Sequence, residues 1–230
     1  AQQATFTGLD FGSNWSILEN VTYPRLKWQS EPVFENFAVP VVYGKAYAAL
    51  NSSVPLAGAN VSLAVNGAYK ETKATSSSGM YYFLVNSSDV SLPSLVYLDG
   101  SAYKGTAVSV ASDSEVASLP KVNMSLYAGT TLTAHAGNGT EITNSVFSQA
   151  KGGLSSSDIL YSVSGSDLTV GNATNPNTNL LVPQETTFNP EGSINFTNTA
   201  TLALQQDSVL DLRDNNLTAS AGSVTLDNAG

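Results

Sequence analysis

Hydrophobic and polar residues alternate along most of this chain, and the alternation predicts strands. Residues 60–65 read NVSLAV, which places Val61, Leu63 and Val65 on one face. Residues 80–85 read MYYFLV and group Tyr81, Phe83 and Val85 in the same way. Pairs such as Asn66-Gly67 and Asp99-Gly100 interrupt the runs. Both pairs tolerate the positive φ values of a tight hairpin. No window of about a dozen residues carries apolar side chains at i, i+3, i+4 and i+7, so the pattern predicts an all-β chain with helices almost absent.

Three zones differ in texture. Residues 1–36 carry an aromatic string, Phe6, Phe11, Trp15, Tyr23 and Trp28, and run into the proline-bearing stretch 30–40, which reads as a linker. Residues 37–128 hold hairpin-forming strands. Residues 129–230 switch to short strands separated by Gly, Asn, Asp and Ser. Late in this zone apolar pairs recur at near-constant spacing: Ile194/Phe196, Leu202/Leu204, Leu210/Leu212, Leu217/Ala219 and Val224/Leu226. Three such facets make a coil of roughly 20–25 residues, the size of one rung of a parallel β-helix. Alternate side chains then stack inward, coil upon coil. One rung cannot offset its own ordering entropy, so neighbours are required. The rhythm is unbroken at Gly230, which predicts a continuing polypeptide or another subunit over that end.

Composition narrows the class. Of 230 residues, 42% are hydrophobic, enough for a packed core. Only 12% are charged, and Ser, Thr, Asn and Gly fill the gap, as on exported β-proteins. The net charge of -9, with no Lys/Arg cluster, opposes nucleic acid and anionic membrane surfaces as partners. The absence of cysteine excludes disulfides, thiolate metal sites and Cys nucleophiles. No apolar run approaches the ~20 residues of a membrane span. The opening AQQ fits a signal-peptidase cut or a fragment boundary equally.

Three passages carry a resemblance. In residues 5–29 the positions Phe6, Gly8, Asp10, Phe11, Trp15, Tyr23, Pro24, Leu26 and Trp28 form an aromatic-x-Gly-x-Asp-Phe, a Trp, then Tyr-Pro-x-Leu-x-Trp. This resembles the string that closes Gly-rich repeats in large secreted filamentous-haemagglutinin-like proteins of bacteria. Residues 55–59 (PLAGA) before a strand, followed by 79–83 (GMYYF), resemble the carboxypeptidase-regulatory-like, or prealbumin-like, β-sandwich. Residues 154–170, with the strand at 180–183, are similar to the stretch that leads into the β-helical stalk of the same large proteins. The order of the three is more specific than any one of them. The resemblance implies an Ig/prealbumin-like β-sandwich plus a right-handed parallel β-helix segment, at the extracellular cell surface. It supplies no catalytic residues.

Candidate chemistry is sparse. His135 is the lone histidine, so any Ser-His-Asp apparatus would need it. In TLTAHAG, however, Leu132 and Ala134 alternate inward and His135 points outward, and no Gly-x-Ser-x-Gly elbow occurs. A solvated strand residue is the better reading. Asp99, Asp113, Glu115, Asp158, Asp167, Asp207, Asp211 and Asp214 are candidate carboxylates for glycoside hydrolysis. Their Ser, Gly and Asn neighbours instead suggest turn formation. Asp211, Asp214 and Asn215 form the densest oxygen cluster and are candidate calcium ligands, without an EF-hand loop or a nonapeptide repeat. No other cofactor is expected. Asn-x-Ser/Thr sequons begin at Asn14, Asn20, Asn51, Asn60, Asn86, Asn123, Asn138, Asn172, Asn195 and Asn216. That is about twice the chance number, and these are glycosylation candidates in a Thr/Asn-rich surface. Tyr81/Tyr82 and Tyr97/Tyr103 are candidate sugar-stacking rings, against the plainer role of covering sheet faces.

The expected function is a non-catalytic structural and adhesive segment of an extracellular bacterial surface fibre. Its partners are other copies or neighbouring segments of the fibre, and host or community glycans or proteins. One alternative is a homopolymeric filament joined by donated amino-terminal strands. Another is a polysaccharide-active β-helix enzyme.

Overall fold

A computed structural model describes residues 2–26, 39–100, 102–110, 121–137 and 140–228. Trp28, the linker stretch through residue 38, Asp113, Glu115, Asn138 and Gly230 lie outside the described residues.

The chain opens with a 3-10 turn at Gln3–Thr5 and an antiparallel ribbon of β1 (Trp15–Ser16) and β2 (Arg25–Leu26), with Trp15 opposite Leu26. Next come β3 (Val41–Tyr47), β4 (Asn60–Val65), β5 (Ala68–Ala74), β6 (Met80–Leu84), β7 (Ser94–Leu98), β8 (Gly105–Val110), β9 (Lys121–Asn123) and β10 (Leu126–Tyr127). Then follow β11 (Thr131–Ala136), β12 (Glu141–Ile142), α1 (Asn144–Lys151), β13 (Tyr161–Ser164), β14 (Asp167–Val170), β15 (Asn179–Val182), β16 (Thr187–Phe188) and β17 (Ile194–Phe196). Last are β18 (Ala200–Leu204), β19 (Val209–Leu210), β20 (Leu217–Ala219) and β21 (Val224–Asn228).

In the first half two sheets face each other. One holds β6 and β3, with β9 and β10 both parallel to β3. The other holds β5, β4, β7 and β8, all antiparallel. Val61, Leu63, Val65, Tyr81, Phe83 and Met124 fill the space between them, with Val85 at its margin, so the faces read from the alternation do turn inward. The β4–β5 turn has Asn66 and Gly67 at φ 49° and 75°, as a tight hairpin requires. On the outside of β3 and β6, Val21 of the amino-terminal zone packs against Val41, Tyr43 and Met80.

The second sheet does not stop at β8. Strand β11 pairs with β8 in parallel, and β15, β18 and β21 follow, so eight strands form one continuous sheet. Two further stacks add parallel faces: β12-β16-β19, and β14-β17-β20 with β13 antiparallel at its edge. The chain visits the three faces in the same order on successive circuits. Leu180 lies beside Leu202 and Leu202 beside Leu226, offsets of 22 and 24 residues. Thr187 beside Val209 and Ile194 beside Leu217 give 22 and 23. These four offsets fall within the range read from the apolar pairs, and Leu168 beside Ile194, at 26, lies just beyond it. The first circuit is longer, with Leu132 beside Leu180, because α1 and the β13–β14 hairpin are inserted into it.

The middle of the shared sheet, β4, β7, β8 and β11, is buried on both faces, while the edge strands β5 and β21 are largely exposed. Its far side sends Ala64, Leu95, Tyr97 and Val108 into a second core with Leu132, Phe147, Tyr161, Phe188, Ile194 and Phe196. Every position of β7, SLVYL, is therefore buried, where a one-sided sheet would alternate. The 128/129 division falls in the turn between β10 and β11, yet the sheet and this core run across it. Of the repeating pairs, Ile194, Phe196 and Leu202 are buried, and Leu204, Leu210, Leu212, Leu217, Ala219 and Val224 pack at the margin of the same core. Leu226 keeps the register but stands on the edge strand, 62% exposed.

Helix α1 departs from the sequence expectation, and it is the one α-helix among the described residues. Its eight residues, NSVFSQAK, are too few and too poor in helix formers to register as a periodic pattern. Packing supplies what propensity lacks. Val146, Phe147 and Ala150 are buried, and a Glu191 carboxylate oxygen accepts the Ser145 N–H at 3.0 Å near the helix start. The Gly152 N–H donates to the Ser148 carbonyl at 2.9 Å and closes the other end.

Candidate functional site

Strand β11 buries Leu132 and Ala134 in the second core, so Thr131, Thr133 and His135 occupy its opposite face. Sheet pairing extends that row. Ser109 of β8 lies beside His135, Ala107 beside Thr133, Leu181 of β15 beside Thr133, and Ala203 of β18 beside Leu181. Strand β10 packs over β8 and β11. Next to that cover lies a groove of about 170 Å³. Asn123, Ser125 and Tyr127 come to it from β9, β10 and the turn between them. Thr133 and His135 come from β11, and Pro183, Gln184 and Gln205 from the turns after β15 and β18. The groove therefore exists only because the two halves share a sheet.

Its described lining holds amides, hydroxyls, an imidazole and a phenol, and no carboxylate, ammonium or guanidinium. Gln205 Oε1 accepts the Gln184 backbone N–H at 3.1 Å, which pins that amide. Tyr127 stacks on Tyr47 with ring centroids 5.4 Å apart and planes 18° from parallel. Burial, then the neighbouring Tyr47, pushes the Tyr127 hydroxyl above its ordinary pKa. Thr133 and Ser109 are 2% and 1% exposed, and neither hydroxyl has a hydrogen-bond partner among the described residues. Buried hydroxyls are normally satisfied, and leaving one unpaired costs about 1–3 kcal/mol. Chemically, this site can exchange hydrogen bonds with a neutral ligand and offer it an aromatic ring.

His135 sits on the predicted face, half-buried in this groove. The remaining candidates are scattered. Ser62 Oγ donates to Asp99 Oδ2 at 2.6 Å, and the Ser193 N–H donates to Asp167 Oδ1 at 2.8 Å. Asp158 is buried and ion-paired with Lys104. Asp207 and Asp214 are exposed. Asp211 accepts from Arg213 through its backbone N–H at 3.2 Å and Nε at 3.3 Å, while Asn215 Nδ2 donates to the Pro190 carbonyl at 2.8 Å. Among the described residues no group of three or more His, Cys, Asp or Glu is placed to hold a metal. None of their helices is long and apolar enough to cross a membrane.

The sequon asparagines Asn14, Asn20, Asn51, Asn60, Asn86, Asn123 and Asn216 are exposed. Asn195 is half-buried and accepts the Thr218 hydroxyl at 2.6 Å. Asn172 is half-buried with its amide engaged: Nδ2 donates to the Ser157 and Ile159 carbonyls, both at 3.0 Å. Of the tyrosines, Tyr81 and Tyr97 are buried, Tyr103 is exposed, and Tyr82 carries Lys73 Nζ over its ring at 5.2 Å.

Sequence reasoning picks out His135 but not its company. The T-x-T-x-H row on β11 is visible in the sequence; Ser109, Gln184 and Gln205 join it only through pairing across the sheet. The chain matches no family model, no curated protein and no solved structure.

Proposed function

We propose that the chain is a structural and adhesive segment of an extracellular bacterial surface fibre. In this reading the first half is an Ig/prealbumin-like β-sandwich, and the second half holds coils of a right-handed parallel β-helix that serves as stalk. The carrying observation is the near-constant register of 22 to 24 residues between the last circuits on all three parallel faces. Each circuit covers the apolar edge of the one before, so length is added without a new core. Paired strands on three faces resist bending. The β8–β11 pairing joins head to stalk through one sheet rather than through a hinge. Low charge and exposed sequons suit the same setting. The carboxylates Asp99, Asp158, Asp167 and Asp211 hold turns and junctions together, which favours a scaffold over a glycan-cleaving site.

Electron microscopy of native material should show rods of uniform width. Oriented samples should diffract at about 4.8 Å along the rod, the spacing of stacked strands. Native preparations containing only isolated compact particles, with no such reflection, would remove the fibre reading.

A further inference from the structure

We propose that the groove beside β11 binds a single neutral sugar unit, with Thr133 Oγ1 as a hydrogen-bonding anchor. This deepens the adhesive reading, which gives the binding its purpose, but the physical argument stands on the groove alone. Thr133 is 2% exposed, its hydroxyl has no partner among the described residues, and it lines the groove. As it stands that hydroxyl is buried, so it meets a ligand by turning about χ1 into the groove, where it has both a proton and lone pairs to offer. A sugar hydroxyl offers the same set in return, so one contact satisfies both. Gln205 is held in place by the Gln184 N–H at 3.1 Å, so its amide loses little freedom on binding. Tyr127 supplies an aromatic ring already backed by Tyr47 at 5.4 Å, the kind of apolar plane on which the C–H face of a sugar rests.

The lining also argues against other ligand classes. Its described residues include no carboxylate, ammonium or guanidinium, so none of them selects a phosphate, a uronic acid or a cation. The volume of about 170 Å³ is below that of ordinary drug-sized pockets and suits one pyranose ring. Affinity should be weak, with Kd on the order of 1 mM, as a small open site allows. Many copies along a fibre would raise the effective strength through multivalency.

The test uses the whole 230-residue chain, produced without glycosylation because Asn123 is both a sequon residue and part of the groove. Saturation-transfer and chemical-shift NMR are run with methyl glycosides of glucose, galactose, mannose, fucose and N-acetylglucosamine, each to about 50 mM. Glucuronic acid and a neutral Asn/Thr peptide serve as comparison probes. At least one neutral glycoside is expected to bind and to shift the His135 and Gln205 resonances. Thr133→Val should weaken that binding about tenfold, the loss of one good hydrogen bond, while leaving the thermal midpoint unchanged or higher. Gln205→Ala should weaken binding with little effect on the midpoint.

Four results would overturn the proposal: no neutral glycoside binds; the shifts fall elsewhere; Thr133→Val binds as tightly as the parent; or the peptide or the uronic acid binds better than any neutral glycoside. A lowered midpoint for Thr133→Val would also count against it, since the hydroxyl would then have a partner inside the fold. None of these results bears on whether the native material forms rods, so the two proposals fail separately.

Discussion

The backbones of Gly67 and Gly152 meet where the two halves of the chain join: a Cβ on Gly67 would stand 2.8 Å from the Gly152 Cα, and one on Gly152 would stand 2.7 Å from the Gly67 Cα. Gly67 lies in the β4–β5 turn at φ 75°, and Gly152 ends α1 at φ 52° and ψ -130°. The contact is main chain against main chain, so no side chain can rotate aside. The Gly152 conformation is also one that residues with a Cβ avoid. Gly152→Ala should destabilise by about 2–4 kcal/mol and Gly67→Ala by about 1–3, read from urea unfolding followed by circular dichroism. Gly100 is the control, with φ 62° and open space around its Cβ. Gly100→Ala should cost only about 1 kcal/mol. Equal losses at all three positions would mean that the hairpin and the helix end do not touch.

Asp158 staples the same junction from another side. Its carboxylate pairs with Lys104 and accepts the Gly100 N–H at 2.8 Å, and its carbonyl accepts the Thr106 hydroxyl at 3.2 Å. The Lys104 and Asp158 side chains are 22% and 10% exposed, so the pair is shielded from water. Asp158→Ala should cost about 2–4 kcal/mol by leaving the ammonium and the Gly100 N–H without their partner. Asp158→Asn keeps an acceptor for Gly100 and should cost about half as much. Thermal unfolding of both variants distinguishes this from a surface pair, whose loss would be within about 1 kcal/mol.

Two buried tyrosines make the fold sensitive to alkali. Burial pushes the Tyr81 and Tyr161 hydroxyls well above the ordinary value of 10.0. The folded chain keeps these protons where the unfolded chain releases them. Their contribution is therefore whole below about pH 10 and declines as pH rises further, by up to about 1.4 kcal/mol per pH unit for each tyrosine. Urea midpoints measured from about pH 8 to about pH 11.5 should fall over the last part of that range. Tyr161→Phe should flatten the fall while costing about 1–2 kcal/mol at neutral pH, since the hydroxyl donates to the Phe147 carbonyl at 2.9 Å.

The stacked circuits predict a graded series of core mutants. Phe196 is fully buried on β17, and Phe196→Ala should cost about 3–5 kcal/mol. Leu226, in register with Leu202 but 62% exposed, should lose less than about 1 kcal/mol on replacement by Ser. Comparable losses at both sites would contradict the inward-facing stack.

Glycan mapping of native material offers a further check. If the chain is glycosylated, attachment should favour Asn14, Asn20, Asn51, Asn60, Asn86, Asn123 and Asn216, whose side chains are exposed. Asn172 should stay bare, because a sugar on Nδ2 would displace one of its two bonds to the Ser157 and Ile159 carbonyls. Peptide mass spectrometry reads the occupancy directly, and a modified Asn172 would refute the assignment.

The sequence by itself determines the inward faces of residues 60–65 and 80–85, because strand alternation is a local property written in neighbouring residues. It determines a circuit of roughly 20–25 residues for the same reason, since a local signal repeated at near-constant spacing stays legible, and the later circuits of the structure, at 22 to 24, fall inside that range. The tertiary structure alone decides what lies against each face. Strand β7 reads as an ordinary apolar run, and only the pairing of β8 with β11 explains why both its faces are buried. Helix α1 forms from a stretch with weak propensity, because Glu191 at its start and the core beneath Phe147 stabilise it from far along the chain. The groove gathers Tyr127, Thr133, Gln184 and Gln205 from separate segments, and no window of sequence contains that proximity, because it arises from the register between strands rather than from the order of residues within one.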